Sequence, residues 1–249
     1  MNKPYLLLIF LFLSLKAFPQ NGLYFGLEAN FHYGLFQVDD PGNYIDIRHD
    51  QYNRIQFSPG LRLGGNISEN LIWEVGYVKF ISYRYSAFNE VSFITTGYAS
   101  RDIPFRIMGN ISFNNFSWKP YIGIRGHFKG PSNQSSNTTL TNYMHSRQDS
   151  ATISYYQESL PGISFSLEFG SRLTYSGPKK RLEYNLSIFY MQGLAKFSES
   201  SIQYYFHAQP EHTYRARVWS YASGVNLSLG INYNLTRQAK LNNPSKPDF

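Results

Sequence analysis

The 249-residue sequence has no cysteine, little charge and no long apolar run beyond its first residues. The absence of cysteine excludes disulfide bonds, thiolate metal sites and a lipid anchor on an N-terminal cysteine. Only 16% of the residues are charged. Because a spanning helix needs about 20 apolar residues, the sequence after residue 20 predicts no transmembrane helix.

Aromatic residues, in contrast, are abundant: 21 Tyr, 20 Phe and 3 Trp. This share is unusual for a water-soluble protein, in which Lys and Glu dominate the surface. The formal net charge is +7, but the basic residues are scattered rather than gathered in a stripe, so we expect no nucleic-acid partner. Neither an HExxH pair nor an Asp-rich calcium loop is present, and no metal or cofactor is predicted.

The first twenty residues have the pattern of a secretory signal peptide. Lys3 precedes an apolar run over residues 5–15, and this run is too short for a spanning helix. We therefore expect residues 1–20 to direct export. Residues 21–235 are predicted to form one barrel domain, and residues 236–249 a polar periplasmic tail.

Residues 224–235, GVNLSLGINYNL, place an apolar side chain at every second position. This is the period of a β-strand with one apolar and one polar face. Seven earlier stretches repeat the pattern. The predicted strands cover residues 23–35, 55–67, 71–83, 103–113, 118–128, 163–175 and 182–190, with the eighth ending at 224–235.

The connections between these strands alternate in length. SEN, NNFS and SGPKKR join strands two and three, four and five, and six and seven, whereas the other connections are long and polar. Short periplasmic turns and long external loops are typical of outer-membrane barrels. The predicted fold is all-β: an eight-stranded antiparallel transmembrane up-and-down β-barrel in a Gram-negative outer membrane, with periplasmic termini.

Aromatic residues recur at the ends of the apolar rows. Trp73 and Tyr83 are separated by roughly 25 Å along the barrel axis, at ~3.3 Å per residue and ~40° tilt, which matches the height of the apolar band of such barrels. We therefore predict that the apolar rows face lipid between two aromatic girdles. The predicted girdle residues are Trp73, Tyr83, Tyr85, Trp118, Tyr175, Tyr184, Trp219, Tyr221 and Tyr233.

The polar rows combine small residues with charges of both signs. Counting from the turns places Glu28 opposite Arg62. It also places Arg106 beside Arg125, with Glu168 opposite Arg125. Because the interior of an eight-stranded barrel is only just wide enough for its own side chains, these charges must pair. The predicted lumenal charge network is Glu28, Arg62, Glu74, Arg106, Arg125 and Glu168.

The last strand carries a more local pattern. In SLGINYNL, the residues Ser228, Gly230, Tyr233 and Leu235 give a polar residue, a glycine and two hydrophobic residues separated by one position. With the eight alternating segments, this resembles the small outer-membrane β-barrels of the OmpX/OmpA-transmembrane type and is similar to barrel domains common in Bacteroidota. The resemblance implies a β-signal read by the barrel-assembly machinery, in a barrel surrounded by outer-membrane lipid and lipopolysaccharide.

The long connections suggest interaction rather than catalysis. DDPGN predicts a turn, and the polar segment PSNQSSNTTLTN predicts a mobile loop. Tyr204, Tyr205 and Phe206 form either an exposed adhesive edge or, more economically, an extended strand with cross-strand aromatic pairs.

His32 and His127 lie on the lumenal row near the external end, where lumen packing is the simplest interpretation. We expect a non-enzymatic structural or interaction barrel, such as an accessory subunit of an outer-membrane secretion or assembly complex. The alternatives are a lipid A-modifying enzyme, a narrow solute channel and an adhesion barrel. The sequence is not expected to reveal the specific activity, because fold alone does not specify function.

Overall fold

The computed structural model describes residues 22–46, 56–88, 92–129, 133–140, 151–158, 162–177 and 181–236. The predicted signal peptide lies outside the described residues, as does the tail after Thr236. The described strands are β1 (Tyr24–Asp39), β2 (Ile45–Asp46), β3 (Gln56–Ser68), β4 (Leu71–Phe88), β5 (Ser92–Gly109), β6 (Ile111–Phe113), β7 (Phe116–Lys129), β8 (Asn133–Leu140), β9 (Ala151–Glu158), β10 (Gly162–Ser176), β11 (Leu182–Gly193), β12 (Ser198–Phe206) and β13 (Gln209–Asn234).

In the part of the chain that the structure describes, no helix is long and apolar enough to cross a membrane.

Eight of the strands close into an antiparallel barrel, as predicted. Their order is β1–β3–β4–β5–β7–β10–β11–β13, and β13 pairs back onto β1. Tyr24 pairs with Asn234, so the barrel sheet begins and ends at the same end. The two-residue turn between Ser68 and Leu71 lies at this end as well.

The two faces of the barrel wall follow the alternation in the sequence. On β1, Phe25 and Leu27 are 42% and 56% exposed, whereas Glu28 and Asn30 are buried. The same alternation recurs along the other barrel strands. Because neighbouring side chains in a strand point to opposite faces, the polar row lines the lumen and the apolar row lies outside.

The long connections carry strands of their own. β13 is 26 residues long and extends beyond the barrel. Its first half pairs with β12, which continues through β9 to β8; we call these extending strands and the end of β1 the external sheet. The prediction that this segment is a loop is therefore wrong over Asn133–Leu140, because these residues pair with β9 as an edge strand.

A hairpin of β12 and β13 projects beyond the barrel. β11 ends at Gly193, and a separate strand, β12, pairs with β13. Phe206 pairs with Gln209, so the turn is at residues 207–208. Between the barrel and the external sheet, β13 bulges at Ala222, whose φ is +57°, and shifts register against β1.

Candidate functional site

The six charges predicted for the lumen lie together inside the barrel. All six are buried. Arg62 Nη1 lies 3.3 Å from Glu28 Oε2, and Arg106 Nη1 lies 2.8 Å from Glu74 Oε1. Arg106 Nε donates to Glu168 at 2.6 Å, and Arg125 Nε donates to the other oxygen of the same carboxylate. Each guanidinium therefore has a carboxylate partner, as buried charge requires.

The register of these contacts differs from the predicted one. Arg62 pairs across the wall with Gly26, and Glu28 pairs with Gly60, so the two charged side chains meet diagonally. A Cβ atom at Gly26 would lie 2.7 Å from Arg62 Nε. The long side chain of Arg62 thus passes over Gly26 to reach Glu28. Counting residues from the turn placed Glu28 directly opposite Arg62, whereas the two lie two positions apart in the register.

Arg172 on β10 completes the network, and sequence reasoning missed it. Its Nη1 donates to Glu74 Oε2 at 2.6 Å and its Nη2 donates to Glu74 Oε1 at 2.8 Å. Glu74 also accepts a hydrogen bond from the Tyr24 hydroxyl at 2.9 Å. Arg172 could have been assigned to the lumen from the sequence, because it lies on the polar row of β10, four residues after Glu168.

Aromatic rings fill the space around the charges. The guanidinium carbon of Arg106 lies 5.5 Å from the centre of the Tyr121 ring and 5.3 Å from that of Phe189. Nearer the short turns, Lys119 Nζ lies 3.6 Å from Glu183. The described side chains of the lumen therefore form a packed, charge-paired interior, as expected for an eight-stranded barrel.

Above the network, His127 lies between a carboxylate and a serine. Its Nδ1 is 3.0 Å from Asp102 Oδ2, and its Nε2 is hydrogen-bonded to Ser166 Oγ. A second oxygen of Asp102 accepts a hydrogen bond from Ser100 at 2.6 Å. Serine, histidine and aspartate in this order of contact resemble a nucleophilic triad, but all three are buried in the lumen wall.

A loop residue, Phe197, packs against His127 in the upper lumen. Phe197 is buried, and its ring centre lies 5.2 Å from that of His127 and 6.5 Å from that of Phe80. Lys129 Nζ lies 4.2 Å from the centre of the same Phe197 ring. His32, the other predicted histidine, bonds Asn226 at 2.9 Å and packs against Phe80. Both histidines thus take part in lumen packing near the mouth.

The external sheet has its own apolar core. The buried residues of this cluster are Ala151, Ile153, Ile202, Tyr204, Phe206, Ala216 and Val218. Tyr204 and Tyr214 are cross-strand partners whose rings stack 5.2 Å apart. Tyr204 and Phe206 therefore form an extended strand with paired aromatics, and the exposed adhesive edge is wrong for them.

The predicted turn in DDPGN packs over this core. Asp40 accepts hydrogen bonds from the amides of Gly42 and Tyr44, at 3.2 Å and 2.7 Å, and from the Tyr204 hydroxyl at 2.8 Å. The Tyr44 ring contacts Phe206 at 4.9 Å between centres. Burial, followed by the bond to Asp40, raises the pKa of Tyr204 well above its usual value near 10. The hydroxyl therefore remains a donor at neutral pH.

Most predicted girdle residues whose side chains are described lie on the outer wall. Trp118, Tyr175, Tyr184 and Tyr233 are exposed near the short turns, and Trp219 and Tyr221 are half-buried at the other end. Trp73 differs, since it is only 6% exposed and its ring lies against Gly65. A glycine beside a large ring leaves a hollow that the indole fills. The side chains of Tyr83 and Tyr85 lie outside the described part.

The predicted β-signal residues occupy both faces of β13. Ser228 is buried in the lumen, whereas Tyr233 and Leu235 are exposed. Gly230 faces the charge network: a Cβ atom there would lie 2.3 Å from Arg62 Nη2. The glycine thus has a packing role that is independent of any recognition by the assembly machinery.

Comparison with known proteins identifies the fold and nothing narrower. No protein-family model and no curated protein matches the sequence. Among solved structures, the outer-membrane protein OprG of Pseudomonas aeruginosa has a TM-score of 0.51 at 9% identity, over 88% of this chain and 99% of that one. Neisserial surface protein A has a TM-score of 0.37 at 12% identity, over 86% of this chain and 97% of that one. A major outer-membrane protein of Thermus thermophilus has a TM-score of 0.41 at 14% identity, over 85% of this chain and 98% of that one.

The protein therefore has the closed eight-stranded antiparallel fold of outer-membrane β-barrels. The likeness to OprG shows the fold alone, because the two sequences share only 9% of their residues. The resemblance to the OmpX/OmpA-transmembrane type and to Bacteroidota barrels stays a prediction.

Proposed function

We propose that the protein is an integral outer-membrane barrel of a Gram-negative bacterium, with a structural or interaction role and no catalytic one. The observation that carries this proposal is the inverted polarity of the barrel. Each of the eight barrel strands exposes large apolar side chains on the outside, while buried ion pairs lie within. An exposed apolar surface of this extent is stable only against lipid or another apolar surface.

A filled lumen argues against the solute-channel alternative. Glu74, Arg106 and Glu168 cross the interior in direct contact, with aromatic rings around them. What remains for contact with other molecules is the external sheet. We propose that this sheet binds a protein partner in an outer-membrane secretion or assembly complex, with the barrel as its anchor.

The lipid A-modifying alternative has one observation in its favour, the contacts of His127 with Asp102 and Ser166. A nucleophile acting on lipid needs a path to its substrate. All three residues are buried in the lumen, and Phe197 lies over the histidine. The geometry therefore favours packing over catalysis.

Two experiments on the full chain test the proposal. Fractionation should recover the protein with the outer membrane and resist urea extraction; recovery in the soluble fraction would overturn membrane insertion. In planar bilayers, we expect no steady conductance, and stable ion channels would show that the lumen is open.

The interaction role is tested by mild-detergent pull-down of the tagged protein from its native membrane, followed by mass spectrometry. A stoichiometric outer-membrane partner is the expected result. It should be lost with Tyr204→Ala, which removes a central ring of the external core, and retained with Glu69→Ala at the short-turn end. A barrel that is recovered alone would contradict the accessory role.

A further inference from the structure

Two cations face each other on the outside of the barrel wall. Lys79 on β4 and Arg101 on β5 are direct cross-strand partners, and both are exposed. Their row is the outward one, since Tyr77 and Ile103, two residues away on each strand, are exposed as well. Like charges directly opposite each other destabilise an antiparallel pair.

Nothing in the described structure neutralises this pair. No carboxylate among the described side chains lies within ion-pair distance of Lys79 or Arg101, whereas Lys196 at the same end is paired with Glu199. The acidic residues nearest in sequence on β4 and β5, Glu74 and Asp102, are buried in the lumen. Within the part of the wall whose side chains are described, two adjacent positive charges therefore stand without a counter-charge.

The height of the pair on the wall points to its counter-charge. Arg101 pairs with Phe128, an exposed residue at the upper end of β7. On its own strand, however, Lys79 is eight residues from Leu71 at the short-turn end, roughly 20 Å at ~3.3 Å per residue and ~40° tilt, compared with the ~25 Å apolar band of such barrels. The pair thus lies in the upper part of the band, from which long cationic side chains can extend to the headgroups of the outer leaflet.

We propose that Lys79 and Arg101 together bind a phosphate group of lipopolysaccharide in the outer leaflet. This inference rests on the proposed insertion in the outer membrane. A guanidinium gives a planar pair of donors and an ammonium a point charge, and together they match the oxygens and the charge of one phosphate. The exposed side chains of Tyr77, Ile103 and Phe128 lie below and beside the pair, where they contact the acyl chains of the same lipid.

The test uses the full chain refolded in nanodiscs of neutral lipid, with diphosphorylated lipid A or its dephosphorylated form added as the probe. Native mass spectrometry counts the lipid adducts. We expect at least a tenfold preference for the phosphorylated form, and loss of this preference in Lys79→Gln/Arg101→Gln. Lys196→Gln, which removes an exposed cation that already has a partner, is the matched control and should keep the preference.

A second measurement separates a lipid site from general attraction. Without lipid A, the double variant should unfold at a higher temperature than wild type, since the repulsion is gone; added lipid A should stabilise only wild type and Lys196→Gln. Equal preference in the double variant would overturn the proposal. So would inorganic phosphate reproducing the whole stabilisation, because the pair would then bind a free ion.

Failure of the site is distinguishable from failure of the proposed function. If the barrel inserts into nanodiscs but shows no phosphate preference, the site is wrong and membrane insertion stands. If the refolded chain does not enter nanodiscs, both the insertion and the site fail.

Discussion

Arg172 holds Glu74 through both of its terminal nitrogens, at 2.6 Å and 2.8 Å. The same carboxylate accepts a hydrogen bond from Arg106 and lies 3.8 Å from Arg62 Nε. Glu74 is therefore the shared counter-charge of three arginines from three other strands. Removing it leaves several buried positive charges next to each other, which is far more costly than losing one surface pair.

We expect Glu74→Gln to destabilise the barrel by about 3–5 kcal/mol, because the amide keeps the size but not the charge of the side chain. Glu199→Gln, which breaks the exposed pair with Lys196, should cost about 0–1 kcal/mol. Urea unfolding in detergent micelles, followed by tryptophan fluorescence, measures both. Similar losses in the two variants would contradict the central role of Glu74.

Gly230 is predicted to be intolerant of a side chain. In Gly230→Ala the new Cβ would lie 2.3 Å from Arg62 Nη2 and 2.8 Å from the Leu27 carbonyl oxygen. We expect a loss of about 1–3 kcal/mol, the usual cost of overpacking. Refolding of the purified protein into micelles should show the defect without any assembly machinery.

Gly177→Ala is the control, because its new Cβ would make only ordinary contact, 3.6 Å from the Leu182 carbonyl oxygen. If Gly230→Ala refolds normally in micelles but fails to assemble in cells, its role lies in recognition rather than packing.

The bond from Tyr204 to Asp40 should hold the turn over the external core. Tyr204→Phe removes the hydroxyl and keeps the ring, at a cost of about 1 kcal/mol. The amides of Gly42 and Tyr44, which donate to Asp40, should then exchange with solvent about fivefold faster. Tyr205→Phe is the neighbouring control.

The ratio between the amide exchange rates of Tyr204→Phe and wild type should be constant between pH 5 and pH 8. Because the pKa of Tyr204 is raised in the folded protein, its stabilising effect is complete below the unfolded value near 10 and is lost only as the pH rises beyond it. If the exchange rates of wild type and Tyr204→Phe became equal already at pH 8, the hydroxyl would not be held in this way.

Ser166 is predicted to be unreactive despite its contact with His127. Its hydroxyl is buried, and a nucleophile without access cannot meet a substrate. A fluorophosphonate probe should therefore leave the intact protein unlabelled, both in micelles and in lipid. Labelling of wild type that disappears in Ser166→Ala would instead support a hydrolytic site.

Much of the barrel was predictable from local pattern. Leu227, Leu229 and Ile231 alternate with Asn226, Ser228 and Gly230, and all but Gly230 take the predicted burial or exposure. The six network charges could be placed on the lumenal row for the same reason. Their partners could not, since a diagonal contact such as Glu28 with Arg62 depends on side-chain length and on the glycines opposite.

The external sheet was the main feature that sequence reasoning missed. Asn133–Leu140 has few apolar residues and carries no alternation, so its pairing with β9 is set by the neighbouring strand edge rather than by its own pattern. Tertiary context of this kind routinely overrides local propensity in strands. Trp73 is buried rather than exposed in the girdle for a related reason: Gly65 on the adjacent strand has no side chain, and the Trp73 ring fills the space.

The sequence by itself determined the eight barrel strands and the direction of their faces, because a two-residue period leaves one choice of face for each strand once the apolar row must avoid water. Only the tertiary structure decided which residues meet across the lumen and above it. Glu74 and Arg172 are 98 residues apart in the chain, and Asp40 and Tyr204 are 164 apart. Such pairs meet only when the barrel closes, and no local pattern in the sequence encodes which residues will meet.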